Sequence, residues 1–170
     1  MIAITIHLTS EPNMNSIEWE CKRFSELSTN ELFDLVKLRI EIFVVEQQCP
    51  YSELDDKDRH QHTRHLMGFN NSQLVCCARL IAPGISYAEV SIGRLAVAKP
   101  HRRNGLGSAL MHQCINHIYN IWPHSDIRMS AQQYLSEFYT HLGFNQTSEV
   151  YLEDNIPHIQ MLKTFATHEQ

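Results

Sequence analysis

The sequence predicts an α+β fold built on a mixed, largely antiparallel central sheet of about six or seven strands, flanked by helices. Three observations support that class. Short runs in which apolar and polar residues alternate, the signature of half-buried strands, are spread along the chain. Between them lie longer runs whose apolar residues recur every three or four positions, as on a packed helix. The last two strand-like runs are close enough to pair antiparallel, and no internal repeat is evident. With 170 residues, 43% of them hydrophobic, the chain can bury one sizeable core. Residues 15–170 are expected to form one domain, and residues 1–14 stand as a candidate N-terminal extension.

Ile17-Glu-Trp-Glu-Cys21 alternates apolar and polar residues and reads as the first strand. Ser28 and Glu31 have the spacing of a capping box, and Leu32, Leu35, Val36, Ile42 and Phe43 fall at roughly helical intervals. They predict a helix that runs out near Val44 and Val45. Glu46 to Arg64 is charged and contains Pro50, so it reads as a long ordered loop, a kind of segment that is usually functional or mobile. Leu66 to Phe69 and Leu74 to Ile81 predict a hairpin turning on Asn70, Asn71 and Ser72, with Pro83 and Gly84 closing its second strand. Val90 to Val97 is a further strand, with Gly93 as a candidate bulge. From Gly105, the residues Leu106, Leu110, Met111, Cys114, Ile115, Ile118 and Ile121 form the stripe of a packed helix that Pro123 stops. Ile127 to Ala131 is a short strand. Leu135, Phe138, Tyr139 and Leu142 predict a last helix capped by Gly143. Glu149 to Leu152 and Ile159 to Phe165 close the chain as strands around Asp154 and Asn155.

A net charge of −5 argues against general nucleic-acid binding, which needs a broad basic surface to displace counterions. Any anion site must be local. The five cysteines, Cys76 and Cys77 adjacent, show neither metal-ligand spacing nor a disulfide framework, which suits a reduced, cytoplasmic protein with buried thiols. No apolar run approaches the ~20 residues that cross a bilayer, so no membrane partner is expected. The opening MIAITIHLTS lacks a basic leader and a cleavage site.

The chemistry concentrates where a strand ending at Val97 turns through Pro100 into a helix starting near Gly105. Such a junction points unpaired N–H groups outward at a helix N-terminus, where the helix dipole also favours an anion. Gly105 and Gly107 let that backbone approach a phosphate, and Arg102 and Arg103 add charge. The stretch lacks the third glycine of a dinucleotide fold and the Gly-Lys-Ser/Thr ending of a P-loop. The competing reading is that the glycines only ease a tight turn.

Arg102-x-x-Gly105-x-Gly107 resembles the acyl-coenzyme-A-binding motif of the GNAT superfamily of N-acetyltransferases. Gln132 followed by Phe138-Tyr139 and Leu142-Gly143-Phe144 is similar to that family's later motif, with glutamine where many members carry asparagine. Leu38 to Tyr51, then Asp55, Asp58 and His65, then Glu149 to Ile159, look like the ElaA-type branch. The resemblance implies an α/β/α GNAT-like fold and direct acetyl transfer from acetyl-CoA to a primary amine within a ternary complex. It places Leu95, Ala96 and Val97 beside the pantetheine arm. It places Arg102, Arg103, Asn104, Gly105, Leu106, Gly107 and Ser108 around the diphosphate, and Gln132 against the cofactor.

An N–H of the Leu95 to Val97 strand would stabilise the developing oxyanion, an effect of ~3 kcal/mol per donor. Tyr139 is the expected general acid to the leaving thiolate, against a plain core role for an aromatic at helical spacing. For the base, Glu46, His65 and a water chain stay open. Burial after an apolar run would raise Glu46, whereas a structural carboxylate would pair with Arg39 or a backbone amide. His60, His62 and His65 invite a metal, but the usual cysteine pair is absent and no metal is expected.

Glu46, Glu53, Asp55, Asp56 and Asp58, with Glu149, Glu153 and Asp154, would line an acidic acceptor cleft; the alternative is a solvated acidic loop. Asp55, Asp58, His65, Glu149 and His158 are the candidate acceptor-site residues. The acceptor is a small-molecule, peptide or protein amine. A homodimer is a candidate assembly through the late strands, with Ile156 and Ile159 as candidate exposed apolar residues. Two other functions remain: an acyl-CoA sensor without turnover, and an acyl-homoserine-lactone synthase, to which the Leu38 to Val44 run is loosely similar.

Overall fold

The computed structural model describes residues 17–166, so the candidate extension at 1–14 lies outside the described residues. Eight strands form one sheet: β1 (Ile17–Lys22), β2 (Arg64–Asn70), β3 (Gln73–Ile81), β4 (Val90–Val97), β5 (Ile127–Gln132), β6 (Asn145–Gln146), β7 (Tyr151–Glu153) and β8 (Ile156–Lys163). Three α-helices flank it: α1 (Thr29–Arg39), α2 (Leu106–Ile121) and α3 (Ser136–His141). The order across the sheet is β1-β2-β3-β4-β5-β8-β6, with β7 also paired to β8. All pairings are antiparallel except β4 with β5. Among the described residues no helix is long and apolar enough to cross a membrane.

Local chemistry explains the elements. Ser28 caps α1 reciprocally with Glu31: Glu31 N donates to Ser28 Oγ at 3.2 Å, and Ser28 N donates to Glu31 Oε2 at 2.8 Å. The helical path continues to Glu46 as expected, but Ile40–Glu46 is a π-helix. There Gln47 N reaches back to Ile42 O at 3.2 Å, and Cys49 N to Val44 O at 3.1 Å. Ile40, Ile42, Val44 and Val45 are β-branched and crowd an α turn, and a wider turn of this kind is frequent at functional sites. Asn71 and Ser72 close the β2–β3 hairpin at φ 49° and 63°, and Asp154 and Asn155 close β7–β8 at 50° and 63°. Both are the two-residue turns whose twist matches paired strands.

The sheet separates two cores. Leu80, Ile92, Ile127, Met129, Ile159 and Met161 face α2 and α3; Met67, Leu74, Cys77 and Ala96 face Leu35 and Leu38 of α1. Four of the five cysteines are buried and all are free.

Three expectations need correcting. The irregularity in β4 is not at Gly93: Gly93 pairs with Arg79 and Ala96 with Cys77, so Arg94 and Leu95 together face Ala78. Ile159, read as exposed, is 1% exposed and packs in the α2-side core, because β8 lies inside the sheet. The last strand starts earlier, at Ile156, and ends at Lys163.

β4 and β5 place the site. They pair only at Val90 with Ile127 and Ser91 with Arg128, then part. Their C-terminal halves form the two walls of a cleft.

Candidate functional site

The cleft has a volume of about 760 Å³. One wall is β4 from Ser91 to Val97, the other is β5 from Met129 to Gln132 with α3 beyond it, and the π-helix roofs part of it.

At one mouth stands the cradle. Gly105 caps α2 at φ 86°, and no side chain caps the helix, so the α2 N-terminus presents free N–H groups. A Cβ built on Gly107 would meet nothing nearer than Phe138 Cζ at 3.9 Å, so this glycine leaves open room rather than relieving a protein contact. An approaching phosphate needs that room. Arg102 Nε donates to Val97 O at 2.8 Å, tying the cradle to the end of β4. Arg102, Arg103 and Gly107 line the cleft, as do Leu95, Ala96 and Val97. Leu106 points into the core at 2% exposure, Asn104 Oδ1 is buried without a partner, and Ser108 is half-buried on the first turn of α2. Helix terminus, arginines and unhindered glycine together fit a diphosphate.

Glu46 stands against this cradle. Its carboxylate takes two hydrogen bonds from Arg102, at 2.6 and 3.1 Å, which hold it below the ordinary carboxylate range. The upward shift expected from burial is absent, because the side chain is 38% exposed and its partner is cationic. Nor does Glu46 pair with Arg39, which binds Glu53 and Asp58 instead.

Tyr139 lines the cleft from α3 and is 4% exposed, packed edge-on between Phe138 and Phe144. Burial pushes its phenol above the ordinary value, so the proton is retained. Gln132 lines the same wall, and its Nε2 donates across to Gln47 Oε1 at 3.1 Å, joining β5 to the end of the π-helix.

The acidic loop does not line the cleft as a row. Asp58 is 4% and His65 1% exposed. Arg39 Nη1 donates to Asp58 Oδ1 at 2.7 Å, and Arg79 approaches the same oxygen at 2.9 Å. Arg79 also binds Asp55 at 2.7 and 3.1 Å. Burial alone would raise Asp58, but Arg39 and Arg79 outweigh it and hold the carboxyl at about 2. Burial pulls His65 below its ordinary value, and its Nε2 lies 2.8 Å from Asp58 O. These groups pin the loop to the sheet. Glu149 is exposed and outside the cleft lining, whereas His158 lines it, 9% exposed and stacked on Tyr151. Among the described residues no cluster could hold a metal ion.

Sequence reasoning missed the arginines that answer these acids, although Arg39, Arg79 and Arg94 each interrupt an apolar run. It also missed the polar wall opposite. There Ser130 Oγ bonds Tyr151 Oη and Glu153 Oε2, each at 2.6 Å, and Gln160 Nε2 reaches Tyr87 and Tyr151 at 3.2 and 2.7 Å.

The model of the acetyltransferase (GNAT) domain matches residues 32–165. The chain is 39% identical over 147 residues to the protein ElaA of Escherichia coli, covering 86% of this chain and 96% of the relative. A solved acyl-CoA N-acyltransferase from Pseudomonas aeruginosa superposes with a TM-score of 0.84 at 40% identity, over 88% of this chain and all of the other. The crystal structure of Escherichia coli ElaA gives 0.82 at 38% identity, over 86% and 99% of the two chains. With matches of that extent across the cradle, both cleft walls and the pinned loop, the chain belongs to the GNAT acetyltransferase family, in its ElaA-like branch.

Proposed function

We propose that the chain is an acetyl-CoA-dependent N-acetyltransferase that passes an acetyl group directly to a primary amine in a ternary complex. One observation carries the reading. An uncapped helix terminus with two arginines, a bulged strand and a buried tyrosine all border the cleft where β4 and β5 part.

Acetyl-CoA supplies the acyl group as a thioester, already activated for attack by an amine. The α2 N-terminus, Arg102 and Arg103 would hold its diphosphate, and Leu95 to Val97 would hold the pantetheine arm. A bulge takes a residue out of the ladder, so an N–H at Arg94–Leu95 is free to donate to the acyl oxygen as charge develops there. Tyr139 keeps its proton and donates it toward the departing sulfur. A phenol is a weaker acid than a thiol, so this works as a strong hydrogen bond with limited proton transfer. Glu46 is a weak base while Arg102 holds it. When Arg102 turns to a diphosphate, the carboxylate is released and takes the acceptor's proton through water.

Glu153 and Asp154 border the cleft from the β7–β8 turn, with Ser130, Tyr87 and His158 beside them. They are the carboxylates that would attract a cationic amine, in place of Asp55 and Asp58, whose charges are spent on arginines.

The test is to incubate the protein with acetyl-CoA and a panel of primary amines and to identify acetylated products by mass spectrometry. The reading expects product from one amine class. Tight cofactor binding with no product from any amine would instead support a sensor, and displacement of the cofactor by S-adenosylmethionine would support a lactone synthase.

A further inference from the structure

The buried ion cluster reaches the cleft through two arginines, Arg79 of β3 and Arg94 of β4, and only Arg94 sits in the bulge. This residue sits in the β4 bulge at φ 51°, in the left-handed region that an L side chain adopts at a cost and that glycine adopts freely. A glycine stands immediately before it, at Gly93, yet the left-handed position holds an arginine. The side chain therefore contributes something that compensates the backbone. Arg94 Nε donates to Glu53 Oε1 at 3.0 Å and approaches Oε2 at 2.9 Å, and its guanidinium lies 5.4 Å over the Tyr51 ring. Glu53 is itself fixed from the other side. Its side chain is 3% exposed, it takes Arg39 Nε at 2.5 Å, and it accepts the Tyr51 hydroxyl. Arg39 is anchored in turn by Asp58.

We propose that Glu53 and Arg94 are positioning residues: through their ion pair, the pinned loop holds the β4 bulge in the shape that aims its amide at the acyl carbonyl. This rests on the acyl-CoA reading of the cleft.

The cluster's own arrangement separates this role from simple loop stability. Without Arg94, Arg39 still meets Glu53 and Asp58, and Arg79 still meets Asp55 and Asp58. Arg94 is also the partly exposed arginine of the cluster, at 22%, whereas Arg39 and Arg79 are buried, so its removal disturbs the fold least and the bulge most. The loop stays pinned while the bulge loses its tether.

The experiment compares wild type with Arg94→Gly and Arg94→Lys. Glycine keeps the left-handed backbone accessible and removes the tether; lysine keeps the charge but loses the planar fork. Infrared spectroscopy of bound acetyl-CoA carrying carbon-13 at the acyl carbonyl reads the contact directly, without any acceptor. Wild type should lower the carbonyl frequency relative to free acetyl-CoA. Arg94→Gly should bind with affinity within about twofold and return the frequency toward the free value, with Arg94→Lys between the two. With the amine identified, the maximal rate of Arg94→Gly should fall on the order of tenfold to a hundredfold while the Michaelis constants stay near wild type, the cost of a small misplacement at a reacting centre. A carbonyl frequency in Arg94→Gly equal to that of wild type would overturn the proposal. Should Arg94→Gly fail to fold, a wild-type frequency in Arg94→Lys would overturn it in the same way. Failure of wild type to bind acetyl-CoA would defeat the acyl-CoA reading instead. That outcome is visible in the same titration before any variant is compared.

Discussion

Two arginine–carboxylate clusters, one at the mouth of the cleft and one buried behind its wall, have nearly equal contact distances and opposite settings. Arg102 meets Glu46 at 2.6 Å at the cradle, both side chains about a third exposed; Arg39 meets Glu53 at 2.5 Å and Asp58 at 2.7 Å, all nearly sealed from water. Exposed pairs contribute little to stability, whereas removing one partner of a buried pair leaves an uncompensated charge. Distance alone therefore does not tell a structural ion pair from a functional one. In the proposed function the exposed cradle arginine exchanges its partner for a phosphate, while the buried arginine keeps its carboxylates.

Substitutions in the two pairs should separate these roles. Asp58→Asn leaves Arg39 and Arg79 undercompensated in the interior and should lower unfolding stability by about 3–5 kcal/mol in urea titrations. An effect below about 1 kcal/mol would place the cluster among the dispensable surface pairs.

Acid should act on the same region more gradually. Asp58 is depressed to about 2 in the fold, so its contribution is present above its unfolded value near 3.8 and is lost as pH falls through the folded value. His65, held neutral by burial, adds an earlier loss, because the unfolded chain gains a proton near pH 6.5 that the fold resists. Melting temperatures should decline from about pH 6 downward and steepen below about pH 4. His65→Gln should remove the first part only.

At the exposed pair, binding rather than stability should move. Arg102→Ala should weaken acetyl-CoA about tenfold to a hundredfold, the value of one or two charge-assisted hydrogen bonds, and change unfolding stability by less than about 1 kcal/mol. The smallest effect belongs to its partner. Glu46→Gln removes a competitor for Arg102 and should tighten acetyl-CoA up to about fivefold, measured by calorimetry. Weaker binding in Glu46→Gln would mean that the carboxylate orients the arginine rather than competing for it.

The same contrast marks how far the sequence can be read. The strands and helices are legible because alternation and three-to-four spacing report which face of an element is buried. The cradle is legible because a helix terminus, two glycines and two arginines lie within a few consecutive residues. The pairing of charges is not. Glu53 meets an arginine 14 residues before it and another 41 residues after it, and periodicity carries no information about such partners. Hence the sequence alone points Asp58 toward the acceptor and Glu46 toward a raised pKa. It also points to a bulge one residue early, because glycine marks backbone freedom in a sequence, while here an arginine takes the strained conformation with outside support. The two-residue β6 is too short to show a period at all.

Tyr139 offers the sharpest test of acyl transfer, because its proposed role bears on the departing sulfur and not on the cradle. The measurement is the rate of free-thiol release from acetyl-CoA in the presence of the accepted amine, beside acetyl-CoA affinity, for wild type and Tyr139→Phe. Turnover should fall roughly 100-fold, the lower range for a positioned proton donor, with affinity unchanged within about twofold. Equal turnover in the two proteins would refute the proton-donor role and leave Tyr139 as a core residue beside the cleft.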